Sequence, residues 1–160
     1  MVVPHQLRVR TKKSRPEAPV SVPPTRASGS NVQLELALLF TSPEVTINAL
    51  ETTAALLAGL NAQINLVALQ SVPYALELNN PPVSVHFNEQ RLEDIASQSP
   101  IETAAHLYIC RCPFDTLKSV LKPRSLLIVG TRKRRWITWE RRLARKLESA
   151  GFRVLLLEVN

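Results

Sequence analysis

Residues 125–136 read SLLIVGTRKRRW, an apolar run that ends at Gly130 and is soon followed by four consecutive cations, Arg132 to Arg135. A short apolar run bounded by a glycine is typical of a strand buried on both faces of a parallel sheet. In α/β domains, ligands bind in the crevice beyond the carboxyl ends of such strands. The stretch therefore predicts both the class of the fold and the place of a site.

Strand-like runs alternate with helix-like segments throughout residues 32–160. Strands are predicted at about 34–40, 64–72, 105–110, 125–129 and 153–159, and helices at about 45–60, 88–98, 113–121 and 138–150. Five strands alternating with four helices predict an α/β fold, a three-layer α/β/α domain around a five-stranded parallel doubly wound sheet. In the common strand orders, the carboxyl ends of the first and fourth strands flank the crevice, so Phe40 to Ser42 would lie opposite Gly130 to Arg135.

Residues 1–31 differ from the rest of the chain in composition. They mix Pro, Ser, Thr, Lys and Arg, contain few large apolar side chains and carry a net charge of +5. Such a segment cannot bury enough apolar surface to offset the entropy lost on ordering. We therefore predict a disordered, basic, proline-rich arm over residues 1–31 and a single α/β domain over residues 32–160.

The other basic region is 131–146, which carries a net charge of +7, whereas the remaining 113 residues sum to −5. Localised cations can hold or steer anions. The candidate ligand-binding residues are accordingly two hydroxyls after the first strand and the segment at the end of the fourth: Thr41, Ser42, Gly130, Thr131, Arg132, Lys133, Arg134 and Arg135. Four adjacent cations are also tolerated in a solvated loop, and that interpretation stays open.

The last predicted helix has two faces of different character. Trp136 and Trp139 share helical spacing with Leu143, Leu147 and Ala150, so we predict that this stripe packs in the core. The other face carries cations that are candidate contacts to a polyanion such as nucleic acid, through phosphate groups that hold no sequence information. These residues are Arg141, Arg142, Arg145 and Lys146.

Cys110 and Cys112 are the two cysteines of the chain, and alternation along a strand would point both to the same face. Their spacing suits neither a strain-free disulfide nor the usual zinc pattern, so we favour small buried residues over a metal site completed by His86 or His106. No metal site is predicted. Unpaired cysteines, and the lack of an apolar run of about 20 residues, favour a cytoplasmic protein without a membrane span.

Three segments resemble the universal stress protein family in their order and spacing, over about residues 32–159. They are LLFTSPE at 38–44, AQINLVAL at 62–69 and LLIVGTR at 126–132. The resemblance implies the five-stranded fold described above and a regulatory or binding role in the stress response. It also implies a homodimer through the C-terminal strand, because dimers of this family commonly use that edge.

The sequence departs from the ATP-binding members of that family. Those members follow the fourth strand with Gly-x-x-Gly, nine residues, and then Gly and Ser or Thr, so that backbone N–H groups approach the phosphates. Here Lys133 occupies the second glycine position, Leu143 and Ala144 stand in place of the last pair, and Phe40 replaces the aspartate expected near the adenine. The motif therefore does not support ATP or another nucleotide, no cofactor is assigned, and binding of a nucleotide stays open.

The sequence contains no Gly-x-Ser-x-Gly elbow, His-Glu-x-x-His helix or P-loop, and no catalytic residue is predicted. The leading hypothesis is a non-catalytic regulatory or binding protein that holds a phosphate-bearing or other anionic ligand at the switch point between the first and fourth strands. Two alternatives stay open. One is a nucleic-acid or acidic-surface binder that uses the arm and the last helix, and the other is a nucleotide-dependent enzyme, against which the missing glycines argue.

Overall fold

The structure is a computed structural model and describes residues 6–9, 33–133 and 138–159. In chain order its elements are β1 (Gln6–Val9), β2 (Leu34–Leu39), α1 (Pro43–Leu56), β3 (Ala62–Ser71), α2 (Val85–Ser97), β4 (Thr103–Cys110), α3 (Pro113–Val120), β5 (Leu126–Arg132), α4 (Trp139–Ser149) and β6 (Arg153–Val159). Each strand and helix predicted within residues 32–160 is present, with ends that shift by a few residues. Within the described ranges, no helix is both long and apolar enough to cross a membrane.

The sheet has the strand order β1-β4-β3-β2-β5-β6. Strands β2 to β6 are joined by parallel pairings throughout, which confirms the predicted five-stranded parallel, doubly wound sheet. The chain runs outward from β2 through β3 to β4, and then returns to the other side of β2 to form β5. The switch point therefore lies between β2 and β5, the first and fourth strands of the prediction.

Both faces of the sheet are covered by helices, because successive apolar residues of the central strands point to opposite sides. Leu36 and Leu38 of β2 pack with buried residues of α1 and α2 on one face. Ala37 and Leu39 pack with buried residues of α3 and α4 on the other. These two cores confirm the predicted three-layer α/β/α architecture.

A sixth strand comes from a part of the chain that the composition assigns to a disordered arm. Gln6–Val9 form β1, which pairs antiparallel with β4, from Gln6 opposite Tyr108 to Val9 opposite Ala105. The prediction of disorder is wrong for these four residues, because pairing with an existing sheet edge satisfies backbone groups without requiring an apolar core of their own. Residues 1–5 and 10–31 of the predicted arm lie outside the described residues.

Helix α1 begins almost directly after β2, which places its N-terminus at the switch point. Ser42 is the N-cap residue and has an extended backbone, and Pro43 occupies the first turn, where its fixed φ fits the helix and its missing N–H costs nothing. The backbone N–H of Thr46 donates to the carbonyl of Ser42, and the side chain of Ser42 makes no capping hydrogen bond. The hydroxyl of Ser42 is thus not used to start the helix.

The burial of residues along α4 agrees only in part with the predicted apolar stripe. Leu143 and Leu147 are buried as expected, whereas Trp139 is 53% exposed and Ala150 is exposed. Trp139 is the first residue of α4, so its side chain lies at the end of the helix and not over the sheet. Trp136, the other tryptophan of the stripe, lies outside the described residues.

Candidate binding cleft at the switch point

A cleft of about 270 Å³ opens at the carboxyl ends of β2 and β5. Its described lining residues come from the end of β2, the start of α1, the end of β5 and the start of α4. They are Thr41, Ser42, Val45, Gly130, Thr131, Arg132, Thr138 and Glu140. Five of the eight residues predicted as ligand-binding therefore meet at one place, because parallel strands present their carboxyl ends at the same edge of the sheet.

Thr41 ties the two walls of the cleft together. Its hydroxyl donates to the carbonyl oxygen of Gly130 at 3.3 Å, and its backbone N–H donates to the hydroxyl of Thr46 at 3.4 Å. The first bond joins the end of β2 to β5, and the second joins it to the first turn of α1. Thr41 thus acts as a structural element of the cleft wall as well as a lining residue.

Gly130 lies inside β5 and not after it, since the strand continues to Arg132. A Cβ built at this position would lie 2.7 Å from Val45 Cγ1 and 3.3 Å from Ala49 Cβ, both in α1. A glycine is therefore required here because α1 packs closely against β5. The prediction that the strand stops at this glycine is wrong, and packing alone accounts for the residue.

The cations of the predicted loop occupy three different situations. Arg132 forms an ion pair with Glu44 in the first turn of α1, and both side chains are more than half exposed. Lys133 is exposed and directly follows β5. Arg134 and Arg135 lie outside the described residues. Because an exposed pair contributes only about 0–1 kcal/mol, Arg132 can exchange Glu44 for a ligand anion at small cost.

The cleft contains two polar residues that sequence reasoning did not select. Glu140 lies in the first turn of α4 and Thr138 is its N-cap, and both line the cleft. The buried Oε2 atom of Glu140 and the buried Oγ1 atom of Thr138 have no hydrogen-bond partner among the described residues. The available signal was the lone acidic residue within the basic segment 131–146.

Phe40, which stands where ATP-binding universal stress proteins have an aspartate, lines a separate cavity of about 110 Å³. The guanidinium of Arg91 lies 6.0 Å from the centre of its ring, a cation–π contact. Gln70 in the same cavity accepts a hydrogen bond from Asn88 and donates one to the carbonyl of Val83. An aromatic ring, a cation and a satisfied amide thus occupy this side of β2, with no carboxylate among the lining residues described there.

The four candidate polyanion contacts on α4 are not equivalent. Arg141 is only about one quarter exposed and forms an ion pair with Glu158 of β6 at 2.5 Å. Arg142, Arg145 and Lys146 are exposed on the outer side of the helix. Arg141 therefore connects α4 to the edge strand, and the exposed cationic surface consists of the other three residues.

The two cysteines are separated by a change of element. Cys110 ends β4 and is buried, whereas Cys112 is the N-cap of α3, so the expected alternation along one strand is wrong. Burial raises the pKa of the Cys110 thiol, a hydrogen bond with Thr116 opposes the rise, and the nearby Cys112 adds to it. In the part of the chain that the structure describes, no group of three or more His, Cys, Asp or Glu residues could hold a metal ion.

Comparisons with known proteins give one similarity of fold. No family model matches the sequence, and no curated protein matches it. Among solved structures, the chain is similar to a protein from the universal stress protein family of Burkholderia pseudomallei, with 16% identity and a TM-score of 0.49 over 81% of this chain and 98% of that chain. The matched structure comes from the family that the sequence resembles.

Proposed function

We propose that this protein is a non-catalytic regulatory or binding protein that holds a small phosphate-bearing ligand in the cleft between β2 and β5. The observation that carries the proposal is the convergence of Thr41, Ser42 and Arg132 at the switch point, where α/β sheets bind ligands. Hydroxyl groups and a guanidinium are the side chains that commonly hold phosphate oxygens. Lys133 directly follows this group and adds charge at the same edge.

The size of the cleft favours a small ligand over a whole nucleotide. Its volume of about 270 Å³ lies below the range of about 300–1,000 Å³ typical for drug-sized ligands. The tight contact of Gly130 with Val45 also accounts for the glycine that would otherwise suggest close approach of a triphosphate. A small phosphate ester therefore fits this cleft better than ATP.

The test is thermal unfolding of the chain with ethyl phosphate, inorganic phosphate and ATP, each at two salt concentrations. A ligand that binds the folded state alone raises Tm with concentration, and we expect the two small phosphates to do so more strongly at low salt. Arg132→Gln should abolish this rise. Arg153→Gln removes one exposed cation at the start of β6, at the opposite end of the strands, and should preserve it.

Two results would contradict the proposal. One is the lack of any stabilisation by the small phosphates in the unmodified chain. The other is stabilisation by ATP at low micromolar concentration, which would show that the altered motif still binds the whole nucleotide.

A second candidate function, polyanion binding, is favoured by the exposure of Arg142, Arg145 and Lys146 on one side of α4. Retention on DNA that falls with salt, and that the triple Gln variant of these residues abolishes, would support it. Arg141→Gln is the matched control, since Arg141 already pairs with Glu158. Retention that persists in the triple variant would exclude this helix as the contact.

We also propose that two copies of the chain associate through β6. This strand forms an edge of the sheet, and Leu155 and Leu156 are 42% and 37% exposed. Successive residues of a strand point to opposite faces, so β6 is apolar on both sides. An exposed apolar edge strand favours pairing with another strand, and a second copy of β6 provides one.

A further inference from the structure

Two of the residues that line the cleft each contain a buried polar side-chain atom. These atoms are Oε2 of Glu140 and Oγ1 of Thr138, and neither has a partner among the described residues. Buried polar atoms in folded proteins are nearly always hydrogen-bonded, and a charged one is the most costly to leave without a partner. Both residues line the same cleft, so a bound molecule could reach both atoms.

The local structure at the start of α4 leaves both atoms without a hydrogen-bond partner among the described residues. Thr138 is the N-cap of α4, yet its side chain makes no capping hydrogen bond to the helix. Glu140 lies in the first turn, where the helix dipole favours a negative charge. A carboxylate can only accept hydrogen bonds, whereas a threonine hydroxyl can accept or donate. The group that satisfies this pair must therefore be a hydrogen-bond donor.

We propose that Glu140 and Thr138 form a donor-binding subsite, so that the ligand carries a hydroxyl or ammonium group close to its phosphate. This inference rests on the proposed phosphate-binding function and adds the chemistry of the rest of the ligand. A phosphate beside Glu140 would be repelled, so it lies at the exposed Arg132 and Lys133, and the donor group lies inside against Glu140. The cleft thus selects small molecules that carry a phosphate at one end and a hydrogen-bond donor at the other.

The experiment measures the affinity of the full chain for three matched phosphate esters by calorimetry near pH 7. Ethyl phosphate has no donor beyond its phosphate, phosphoethanolamine adds an ammonium, and glycerol 3-phosphate adds two hydroxyls. A hydrogen bond to a charged acceptor in a buried site changes affinity by about tenfold or more. We expect at least one donor-bearing ester to bind about tenfold more tightly than ethyl phosphate, and the better of the two identifies the donor as hydroxyl or ammonium.

Glu140→Gln tests the role of the carboxylate through opposite effects on the two kinds of ligand. Removing the negative charge should weaken the preferred donor-bearing ester by about tenfold and leave ethyl phosphate unchanged or bound more tightly. Thr138→Val, which keeps the shape of the side chain, should weaken the same ester. Glu148→Gln is the matched control, because it removes an exposed carboxylate from the last turn of the same helix.

The possible results separate this inference from the proposed function. If all three esters bind equally and Glu140→Gln changes them equally, the donor subsite is wrong and the phosphate site stands. If none of the three binds, both proposals are overturned. A purely structural role of Glu140 would lower Tm without changing the ratio of the affinities, and that result also overturns the subsite.

Discussion

The hydroxyl of Thr41 donates a hydrogen bond to the carbonyl oxygen of Gly130 and so joins β2 to β5 at the switch point of the sheet. The two residues are 89 positions apart in the chain. The bond extends the contact between the two segments beyond the last paired residues of the strands, Leu39 and Val129. Its loss should be measurable in the stability of the fold.

Thr41→Val removes this hydroxyl with little change in shape. We expect the free energy of unfolding to fall by about 0.5–1.5 kcal/mol, because the carbonyl of Gly130 loses its partner. Thr41→Ser keeps the hydroxyl and should retain most of the stability. A loss confined to Thr41→Ser, measured by urea denaturation of both variants, would show that the methyl group and not the hydrogen bond matters.

Gly130→Ala should destabilise the fold by about 1–3 kcal/mol, because the new methyl group would lie too close to Val45. In a double-mutant cycle, Val45→Ala should relieve part of this loss, with a coupling of about 1 kcal/mol measured by urea denaturation. Gly59→Ala is the matched control. Gly59 has a φ of +85° with nothing near its Cβ position, so its replacement is strained by the backbone and Val45→Ala should not relieve it. Additive effects of the Gly130 and Val45 changes would contradict the packing argument.

Trp139 and Leu147 should respond very differently to truncation, although both belong to the apolar stripe of α4. Trp139→Ala removes a half-exposed side chain at the helix start and should change stability by about 0.5 kcal/mol or less. Leu147→Ala creates a cavity under a fully buried side chain and should cost about 2–5 kcal/mol. Thermal unfolding of both variants measures the difference. A large loss of stability in Trp139→Ala would show that this side chain packs in the core.

The stability of the fold should decrease at alkaline pH through Cys110. Because burial raises the pKa of this thiol in the folded state, the folded chain holds the proton more tightly than the unfolded chain. Its contribution is therefore complete below the pKa of an unfolded cysteine, about 8.5, and is lost as pH rises through the higher pKa of the folded state. Cys110→Ala should show a smaller loss between neutral pH and about pH 10 than the unmodified chain, in urea denaturation at each pH. Cys112→Ala should keep most of the alkaline loss, and identical pH profiles for all three chains would contradict the assignment.

The homodimer proposed through β6 should dissociate when the exposed edge becomes charged. In analytical ultracentrifugation at micromolar concentration, we expect a dimer for the unmodified chain and a monomer for the variant with Leu155→Lys and Leu156→Lys, because lysines on edge strands disfavour pairing. Leu34→Lys places a charge at an equally exposed leucine in a central strand and should leave the dimer intact. A monomeric unmodified chain would overturn the proposal.

The spacing of apolar residues along the sequence predicted most of the fold, because each strand and helix of a parallel α/β domain has a characteristic spacing within its own segment. The same spacing predicted that Thr41 and Arg132 line one cleft. That prediction required only that β2 and β5 be neighbours, because the carboxyl ends of adjacent parallel strands lie together. Two outcomes depended on distant contacts and were not predictable in this way. Gly130 is required because Val45, 85 positions earlier, packs against it, and Glu140 lines a cleft that forms only where distant segments of the chain meet.

Strand β1 was missed for a different reason. Its four residues are too few for a reliable alternating pattern, and its pairing is decided by the edge of β4. Trp139 shows the converse problem, because its spacing is correct for the buried stripe while its position at the start of α4 removes it from the sheet. Periodicity identifies a face of a helix but not how far the sheet extends beneath it.

The antiparallel strand β1 also limits how copies of this protein can polymerise. Within the described ranges it shields the middle of β4 from Ala105 to Tyr108, while β6 has no neighbour on its outer side. Pairing of β6 with β6 of a second copy would use the same edge in both molecules and would therefore close at a pair, whereas a longer ribbon would also need the other edge of the sheet. That other edge is β1, which has four residues, and so short an edge strand offers few backbone groups to a further copy.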